Sequence, residues 1–98
     1  MTKKEEKKKW ETRKKLKQQE RTHGSCIRVG KNESYEHAKK KFELCWELIQ
    51  QGYTPVTEAK SKKGERRYDI IVLETGNIYE IESDPDIEKP DADYTIHI

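Results

Sequence analysis

Three acidic side chains interrupt two strand-like apolar runs in the second half of the sequence. Asp69 lies in the run at 67–74, and Glu80 and Glu82 lie in the run at 76–82. Carboxylates that replace apolar side chains are costly unless a cation or a hydrogen-bond donor compensates them. Oxygen ligands suit Mg²⁺ or Mn²⁺ better than zinc. The three acids therefore predict a magnesium or manganese site.

The two runs flank a Gly-Asn turn signal, so they predict a β-hairpin. Side chains alternate between the two faces of a strand, so Glu80 and Glu82 point the same way. With a two-residue loop at Thr75-Gly76 or at Gly76-Asn77, Asp69 lies on that same face. A three-residue loop would place Asp69 on the opposite face.

Glu58, on the strand that precedes the hairpin, would add a fourth oxygen to such a site. The acids have a plainer interpretation as well, in which they lie on a solvated sheet face or pair with nearby cations. Those cations are Arg66, Arg67 and Lys41. The hairpin alone leaves both interpretations open.

Residues 33–51 form the clearest helix in the sequence. Ser34 or Asn32 can cap its amino end, and Gly52 suits the position just after its carboxyl end. At about 100° per residue, one narrow arc of this helix is apolar and is expected to face the core. The arc consists of Ala38, Phe42, Cys45 and Ile49, with Trp46 beside it.

A second stripe of the same helix mixes polar and apolar side chains. His37 and Lys41 lie in line with Leu44 and Leu48, at the margin of the predicted buried face. Such a margin is where a helix can present polar groups to a cleft. A histidine in this position also has an ordinary role as a cap or a packing residue.

The whole pattern predicts an α/β (α+β) fold. We expect a helix followed by a mixed sheet of about four strands with a central antiparallel hairpin, plus a basic amino-terminal helix. The division is a basic helical arm at 1–22 and a compact domain at 23–98. The predicted strands lie at 26–29, at 54–59, in the hairpin at 67–83 and at 93–98.

Charge is unevenly distributed along the 98 residues. Residues 1–22 contain 10 Lys and Arg against 4 acids, whereas the rest of the chain contains 11 against 15. A basic arm on a mildly acidic body indicates an anionic partner, with nucleic acid as the first candidate. The alternative is a solvated Lys/Glu-rich helix that either docks lightly through Trp10 or stays frayed.

No apolar run approaches the roughly 20 residues needed to span a bilayer, and no apolar segment follows the basic start. These features predict an intracellular, cytoplasmic protein with no membrane partner. Cys26 and Cys45 lack the spacing of a zinc site. Cys45 is expected as a small core residue, and a disulfide between the two cysteines is the alternative.

The helix and the hairpin together resemble the PD-(D/E)xK nuclease superfamily, over residues 33–83. Asp69, in Tyr68-Asp69-Ile70, matches the aspartate that begins the family's second strand. Glu80-Ile81-Glu82 matches the (D/E)-x-K motif of its third strand, and Glu58 stands where many members carry an acid on the first. The helix pattern is similar to the first helix of several nuclease subfamilies, with Ser34, His37, Lys41, Leu44, Leu48 and Gly52-Tyr53 at the matching positions.

The sequence departs from the family in three places. Tyr68 replaces the proline of the motif. Glu82 stands where lysine is usual, although some restriction endonucleases of the superfamily also have Glu there, and Lys41 is a candidate for the missing positive charge. Only about nine residues separate the third strand from the last. This is shorter than the usual crossover, so the family's second helix is expected to be reduced or absent, with the basic arm covering that sheet face.

The resemblance implies hydrolysis of phosphodiester bonds that depends on Mg²⁺ or Mn²⁺. Asp69 and Glu80 would hold the metal, with the Ile81 carbonyl as a further ligand. Glu82 or Glu58 would orient or deprotonate the attacking water.

The implied substrate is nucleic acid, and DNA in particular. Lys41 or His37 would stabilise charge on the phosphate. One small domain offers little surface for a duplex, so a homodimer is a further expectation. The alternatives are an inactive protein of this fold that binds nucleic acid, or an adaptor whose acids bind a basic protein partner. Cations around the loop before Asp69 would grip the phosphate backbone without reading sequence, namely Lys60, Lys62, Lys63, Arg66 and Arg67.

Overall fold

The structure is a computed structural model and describes residues 2–17, 24–87 and 91–98. Two helices precede a four-stranded sheet whose strands follow one another in chain order. The first three strands are antiparallel, and the fourth runs parallel to the third. This confirms the predicted fold class, with its central hairpin and its basic amino-terminal helix. The elements are α1 (Lys3–Lys14), α2 (Tyr35–Gln50), β1 (Pro55–Lys60), β2 (Arg67–Val72), β3 (Ile78–Glu82) and β4 (Tyr94–His97).

Helix α2 begins and ends at its predicted signals. The Ser34 hydroxyl accepts a hydrogen bond from the His37 N–H at 3.1 Å, which satisfies one of the free donors of the first turn. Gly52 follows the helix with a φ of 87°, a left-handed conformation that glycine adopts without strain. The cap therefore fixes His37 in the first turn, with Lys41 one turn later.

The buried face of α2 differs from the predicted one. Phe42 and Trp46 are 51% and 57% exposed, whereas Lys41, Cys45 and Leu48 are buried. The prediction that Phe42 faces the core is wrong, because Lys41 finds carboxylate partners inside the protein. A hydrophobicity pattern does not count such partners, so it selects the wrong arc of the helix.

Apolar side chains cover both faces of the sheet. One face packs against α2, and the other packs against the chain segment that follows α1. The hairpin is therefore covered on both sides, as expected for central strands. The α2 side contains Cys45, Leu48, Ile70 and Val72, and the opposite side contains Leu16, Val56, Ala59, Ile71 and Leu73.

The amino-terminal arm joins the sheet through Leu16. This side chain is fully buried, and Leu16 forms an antiparallel bridge with Ser61 in the β1–β2 loop. Trp10, which was the expected docking residue, is 56% exposed. The arm thus covers this sheet face from the turn after α1. The predicted arm reaches residue 22, and its residues 18–22 lie outside the described part of the chain.

The hairpin has a longer turn than either predicted register. Ile70 pairs with Tyr79 and Ile71 pairs with Ile78, so the turn consists of residues 73–76. Both predicted two-residue loops are therefore wrong. The true register differs from them by an even number of residues, and an even shift keeps every side chain on its face. Asp69 is consequently brought opposite Glu80.

The predicted strand at 26–29 is wrong. The Thr57 hydroxyl on β1 accepts a hydrogen bond from the Arg28 N–H and donates one to the Cys26 carbonyl, both at 2.8 Å. A single side chain therefore binds this segment to β1 in place of the backbone hydrogen bonds of a strand. Cys26 and Cys45 are free thiols, which excludes the alternative of a disulfide between them in this structure. Cys45 is a buried core residue as predicted, and burial raises the pKa of its thiol to about 11.

The connection from β3 to β4 forms no helix at residues 83–87 and 91–93, while residues 88–90 lie outside the described part. The Asp93 carboxylate accepts the Ile78 N–H at 2.7 Å, which ties the end of the connection back to β3. Neither helix within the described residues has the length and apolar character to cross a membrane.

Candidate active site

A polar pocket of about 430 Å³ lies at the open end of the β2–β3 hairpin, beside the first turn of α2. A second pocket, of about 540 Å³, shares His37, Arg67 and Asp69 with it and extends to Glu58. Most of the predicted site residues therefore meet in one cleft. The lining of the first pocket is His37, Arg66, Arg67, Asp69, Glu80, Ile81 and Asp91.

Asp69 and Glu80 lie close enough to each other to interact. The Asp69 Oδ2 atom accepts the Ile81 N–H at 2.8 Å, which holds the carboxylate over β3. Glu80 is 9% exposed and shares a hydrogen bond with Asp69. Burial, together with the hydrogen bond and charge of Asp69, raises the pKa of Glu80 to about 7. The pair therefore retains a proton close to neutral pH, and a bound cation can replace that proton.

His37 lies between two carboxylates. Its Nδ1 atom contacts Glu33, and its Nε2 atom lies 3.4 Å from the Asp69 Oδ2 atom. Glu33 and Ser34 thus place the imidazole from the start of α2, one through the ring and the other through the backbone. A ring held by one nitrogen presents the other nitrogen in a fixed direction, here toward the pocket.

Lys41 is fully buried, and its Nζ atom lies 2.9 Å from Glu33 and 2.9 Å from Glu58. Arg67 approaches the second Glu58 oxygen at 3.1 Å. Burial alone would raise the pKa of Glu33, but hydrogen bonds from Lys41, the Gly30 N–H and His37 outweigh it and lower the pKa. The buried amine is thus paired with two carboxyl groups, as a charge inside a protein requires.

Glu58 adopts a left-handed backbone conformation within β1, with a φ of 50°. For a residue other than glycine this conformation costs about 1–3 kcal/mol and is tolerated mainly at functional sites. Val56 and Ala59, three residues apart, pack into the same core cluster, although a regular strand would point them to opposite faces. The irregularity lets Glu58 point at Lys41 while its neighbours stay in the core.

Arg66 is the cation at the pocket mouth. Its guanidinium lies 4.0 Å from Glu80, 3.3 Å from Asp91 and 4.9 Å from the centre of the Tyr68 ring. The side chain stays about one-third exposed, so it remains accessible to a ligand. Arg66 therefore supplies positive charge next to the Asp69–Glu80 pair.

Other predicted residues lie away from the pocket. The Glu82 carboxylate accepts the Asp84 N–H at 3.0 Å near the end of β3, and Glu82 lines neither pocket. Lys60 is the exposed last residue of β1, and Lys62 and Lys63 lie on the exposed β1–β2 loop. The structure thus unites Asp69, Glu80, Ile81, His37, Lys41, Glu58, Arg66 and Arg67, and separates Glu82 and the three lysines from them.

No group of three or more His, Cys, Asp and Glu side chains is arranged to hold a metal within residues 2–17, 24–87 and 91–98. The pocket has the adjacent carboxylates of Asp69 and Glu80 as its main oxygen donors, since Asp91 pairs with Arg66 and His37 with Glu33. Mg²⁺ commonly binds through one or two carboxylates and completes its octahedron with waters and substrate phosphates. The pair therefore fits Mg²⁺ better than a metal that needs a full cage of protein ligands.

Glu33 is a residue of this site that the sequence interpretation missed. It joins His37 and Lys41, which follow it at intervals of four residues. Positions i, i+4 and i+8 share one helix face, so this spacing was the available signal. Glu33 lies at the first position of the predicted helix, but the interpretation of the polar stripe began at His37 and did not extend back to it. Asp91 at the pocket wall carried no such signal.

Comparisons with models of protein families, with curated protein sequences and with solved structures found no match.

Proposed function

We propose that this protein is a metal-dependent nuclease that hydrolyses phosphodiester bonds in DNA. The observation that carries the proposal is the Asp69–Glu80 pair, two interacting acids in a pocket that also contains Arg66, Arg67 and His37. Acids bind a hard cation, and the surrounding cations suit a phosphate. The order of helix, antiparallel strands and parallel fourth strand supports the resemblance to the PD-(D/E)xK superfamily.

A bound Mg²⁺ or Mn²⁺ would supply an activated water and polarise the phosphate. Asp69 and Glu80 would hold the ion, with the Ile81 carbonyl as a third protein ligand. Glu80 would have to be ionised to serve as a ligand, because a metal-bound carboxylate carries its charge. Loading is therefore expected to be favoured above pH 7 and opposed below it.

The remaining side chains bind and orient. His37, whose other ring nitrogen is held by Glu33, and Arg66 contact the phosphate oxygens. Glu58 orients the attacking water from the adjoining pocket. Lys41 holds Glu58 in place through their ion pair, which makes it a positioning residue. Glu82 is the less favoured partner for the water, because its carboxylate lies outside the pocket.

Cleavage of a supercoiled plasmid with Mg²⁺ or Mn²⁺ tests this proposal. Asp69→Asn and Glu80→Gln are each expected to lower the rate at least about 100-fold, within the range that such groups contribute. Asp86→Asn, at an exposed position of the connection after β3, is the matched control and should retain activity. Equal cleavage by the wild type and both site variants would contradict the proposed site.

The second candidate is a catalytically inactive protein of this fold that binds nucleic acid or a protein partner. Two observations favour it: Glu82 stands where lysine is usual, and no three-residue metal group is present in the described part of the chain. Absence of cleavage by the wild type with either metal, together with salt-sensitive DNA binding, would select this candidate.

We also propose a homodimer formed through the exposed face of α2. Tyr35, Phe42 and Trp46 are 74%, 51% and 57% exposed along one stripe. Lys39 lies near the amino end of this stripe and Glu47 near its carboxyl end, so antiparallel packing brings Lys39 of one copy toward Glu47 of the other. Light scattering should show a concentration-dependent dimer that Trp46→Glu abolishes. A monomer at every concentration would refute it.

A further inference from the structure

The amino-terminal arm and the β1–β2 loop run side by side as a short antiparallel pair. The Lys62 N–H donates to the Lys15 carbonyl at 2.8 Å, and the Lys17 N–H donates to the Lys60 carbonyl at 3.0 Å. The fully buried Leu16 lies between these two hydrogen bonds. Two segments that are distant in sequence and separately basic are thereby joined by backbone hydrogen bonds.

This pairing places lysines directly opposite lysines. Lys15 faces Lys62, and Lys17 faces Lys60, on either side of the Leu16–Ser61 bridge. Lys15, Lys60 and Lys62 are exposed to solvent, whereas Lys17 is half-buried. Like charges opposite each other in an antiparallel pair are destabilising. An arrangement with this cost suggests a polyanion that neutralises it.

A fifth lysine extends the same surface. Lys63 follows Lys62 in the exposed turn, and the Lys17 side chain reaches across that turn, where its Nζ would lie 2.9 Å from a Cβ added at Gly64. Within the described residues, none of the five forms an ion pair. We call this surface the lysine ridge and define it as Lys15, Lys17, Lys60, Lys62 and Lys63.

The lysine ridge is connected to the candidate active site. The Ser61 N–H donates to the Arg66 carbonyl at 2.8 Å, and the Arg66 N–H donates to the Ser61 hydroxyl at 3.2 Å. Arg66 and Arg67 then line the pocket. A chain that lies along the lysine ridge therefore meets these two arginines before it reaches Asp69.

We propose that the lysine ridge binds the phosphate backbone of the nucleic acid whose phosphodiester enters the pocket, so that the arm is part of the substrate-binding surface. The inference rests on the proposed function for the class of partner. Lysines two residues apart on a strand are roughly 7 Å apart, which is comparable with the spacing of successive phosphates. Lysine binds phosphate as a point charge, so we expect affinity without sequence preference.

Binding is tested by fluorescence anisotropy with a labelled DNA duplex in EDTA, over a series of KCl concentrations. The variants are K15Q/K17Q in the arm and K60Q/K62Q in the loop. K3Q/K4Q is the matched control, because it removes the same charge from the same arm at exposed positions far from the Leu16 bridge. Circular dichroism checks folding, and relief of lysine repulsion should leave the ridge variants at least as stable as the wild type.

Each ridge variant should weaken binding about 10-fold or more at moderate salt and reduce the slope of log K against log salt by about 2. The control should bind DNA with an affinity within about 2-fold of the wild type. If only net charge mattered, all three variants would lose the same affinity. The proposal would be overturned if the control variant lost as much affinity as the ridge variants. It would also be overturned if polyglutamate displaced the labelled duplex as effectively as unlabelled DNA does. Failure of the nuclease proposal appears separately, as absent plasmid cleavage with duplex binding intact.

Discussion

The two ends of the β2–β3 hairpin each bury an acid, and they treat it in opposite ways. At the turn, Glu74 is 3% exposed and accepts hydrogen bonds from the Thr54 N–H and hydroxyl, both at 2.7 Å, with Lys9 at 3.6 Å. Burial raises its pKa, but these donors outweigh burial and the pKa is lowered. At the open end, Glu80 faces Asp69 and its pKa is raised to about 7.

The difference lies in the partners and not in the depth of burial. Glu74 is fully satisfied by donors from its own fold, so it ties the turn to the start of β1 and needs nothing more. Glu80 has an acid as its nearest partner and an arginine at 4.0 Å, so its ionised form is incompletely compensated. An acid of the first kind stabilises the fold, and an acid of the second kind is a candidate ligand for a cation.

The largest expected effect is the loss of stability when Glu74, the buried acid at the turn, is replaced. Glu74→Gln should lower the free energy of unfolding by about 3 kcal/mol at pH 8, because an amide cannot accept both Thr54 hydrogen bonds as strongly and leaves buried donors unsatisfied. Urea unfolding measures it, with the exposed Asp86→Asn as control. A loss no larger than that of the control would show that Glu74 is not structural and would break the comparison.

Glu80→Gln should raise the free energy of unfolding at alkaline pH, in contrast to Glu74→Gln, which lowers it. The folded-state pKa of Glu80 lies above its unfolded value, so its stabilising effect is complete below about pH 4.5 and is lost as pH rises through about 7. After allowance for solvent screening, the loss is about 2 kcal/mol. Urea unfolding should therefore find Glu80→Gln more stable than the wild type at pH 8 and similar to it at pH 4.5. Destabilisation at pH 8 would contradict the unfavourable contact with Asp69.

Sequence patterns predicted the strand contacts of this site better than its helix contacts. Asp69 and Glu80 were placed together correctly although the turn was wrong, because the alternation of strand faces depends only on even or odd register. No local pattern distinguished the two kinds of acid, since Glu74 and Glu80 differ only in which distant groups fold against them. Thr54 and Lys9 reach Glu74 through tertiary contacts.

The sequence predicted the bounds of α2 correctly but not which face of the helix is buried. Its cap and its end are local signals, whereas the choice between two apolar arcs depends on what lies opposite. Lys41 is buried because its amine pairs with Glu33 and with Glu58. Residue propensities do not predict the left-handed backbone conformation of Glu58. The charge network therefore overrode the aromatic stripe, and Phe42 and Trp46 were left exposed.

The smallest expected effect is stabilisation of the folded protein by Mg²⁺. It gives the clearest distinction between Glu80 and Glu74, the acids at the two ends of the hairpin. At pH 8, millimolar Mg²⁺ should raise the free energy of unfolding of the wild type by about 1 kcal/mol, because an ion that binds only the folded state stabilises it. Glu80→Gln should lose this increment, while Glu74→Gln should keep it despite its lower baseline. At pH 5 the increment should disappear in every variant, because the Asp69–Glu80 pair then holds its proton. Thermal or urea unfolding with matched KCl excludes a general salt effect. An increment that persists in Glu80→Gln would place the ion elsewhere and would leave both acids as structural groups.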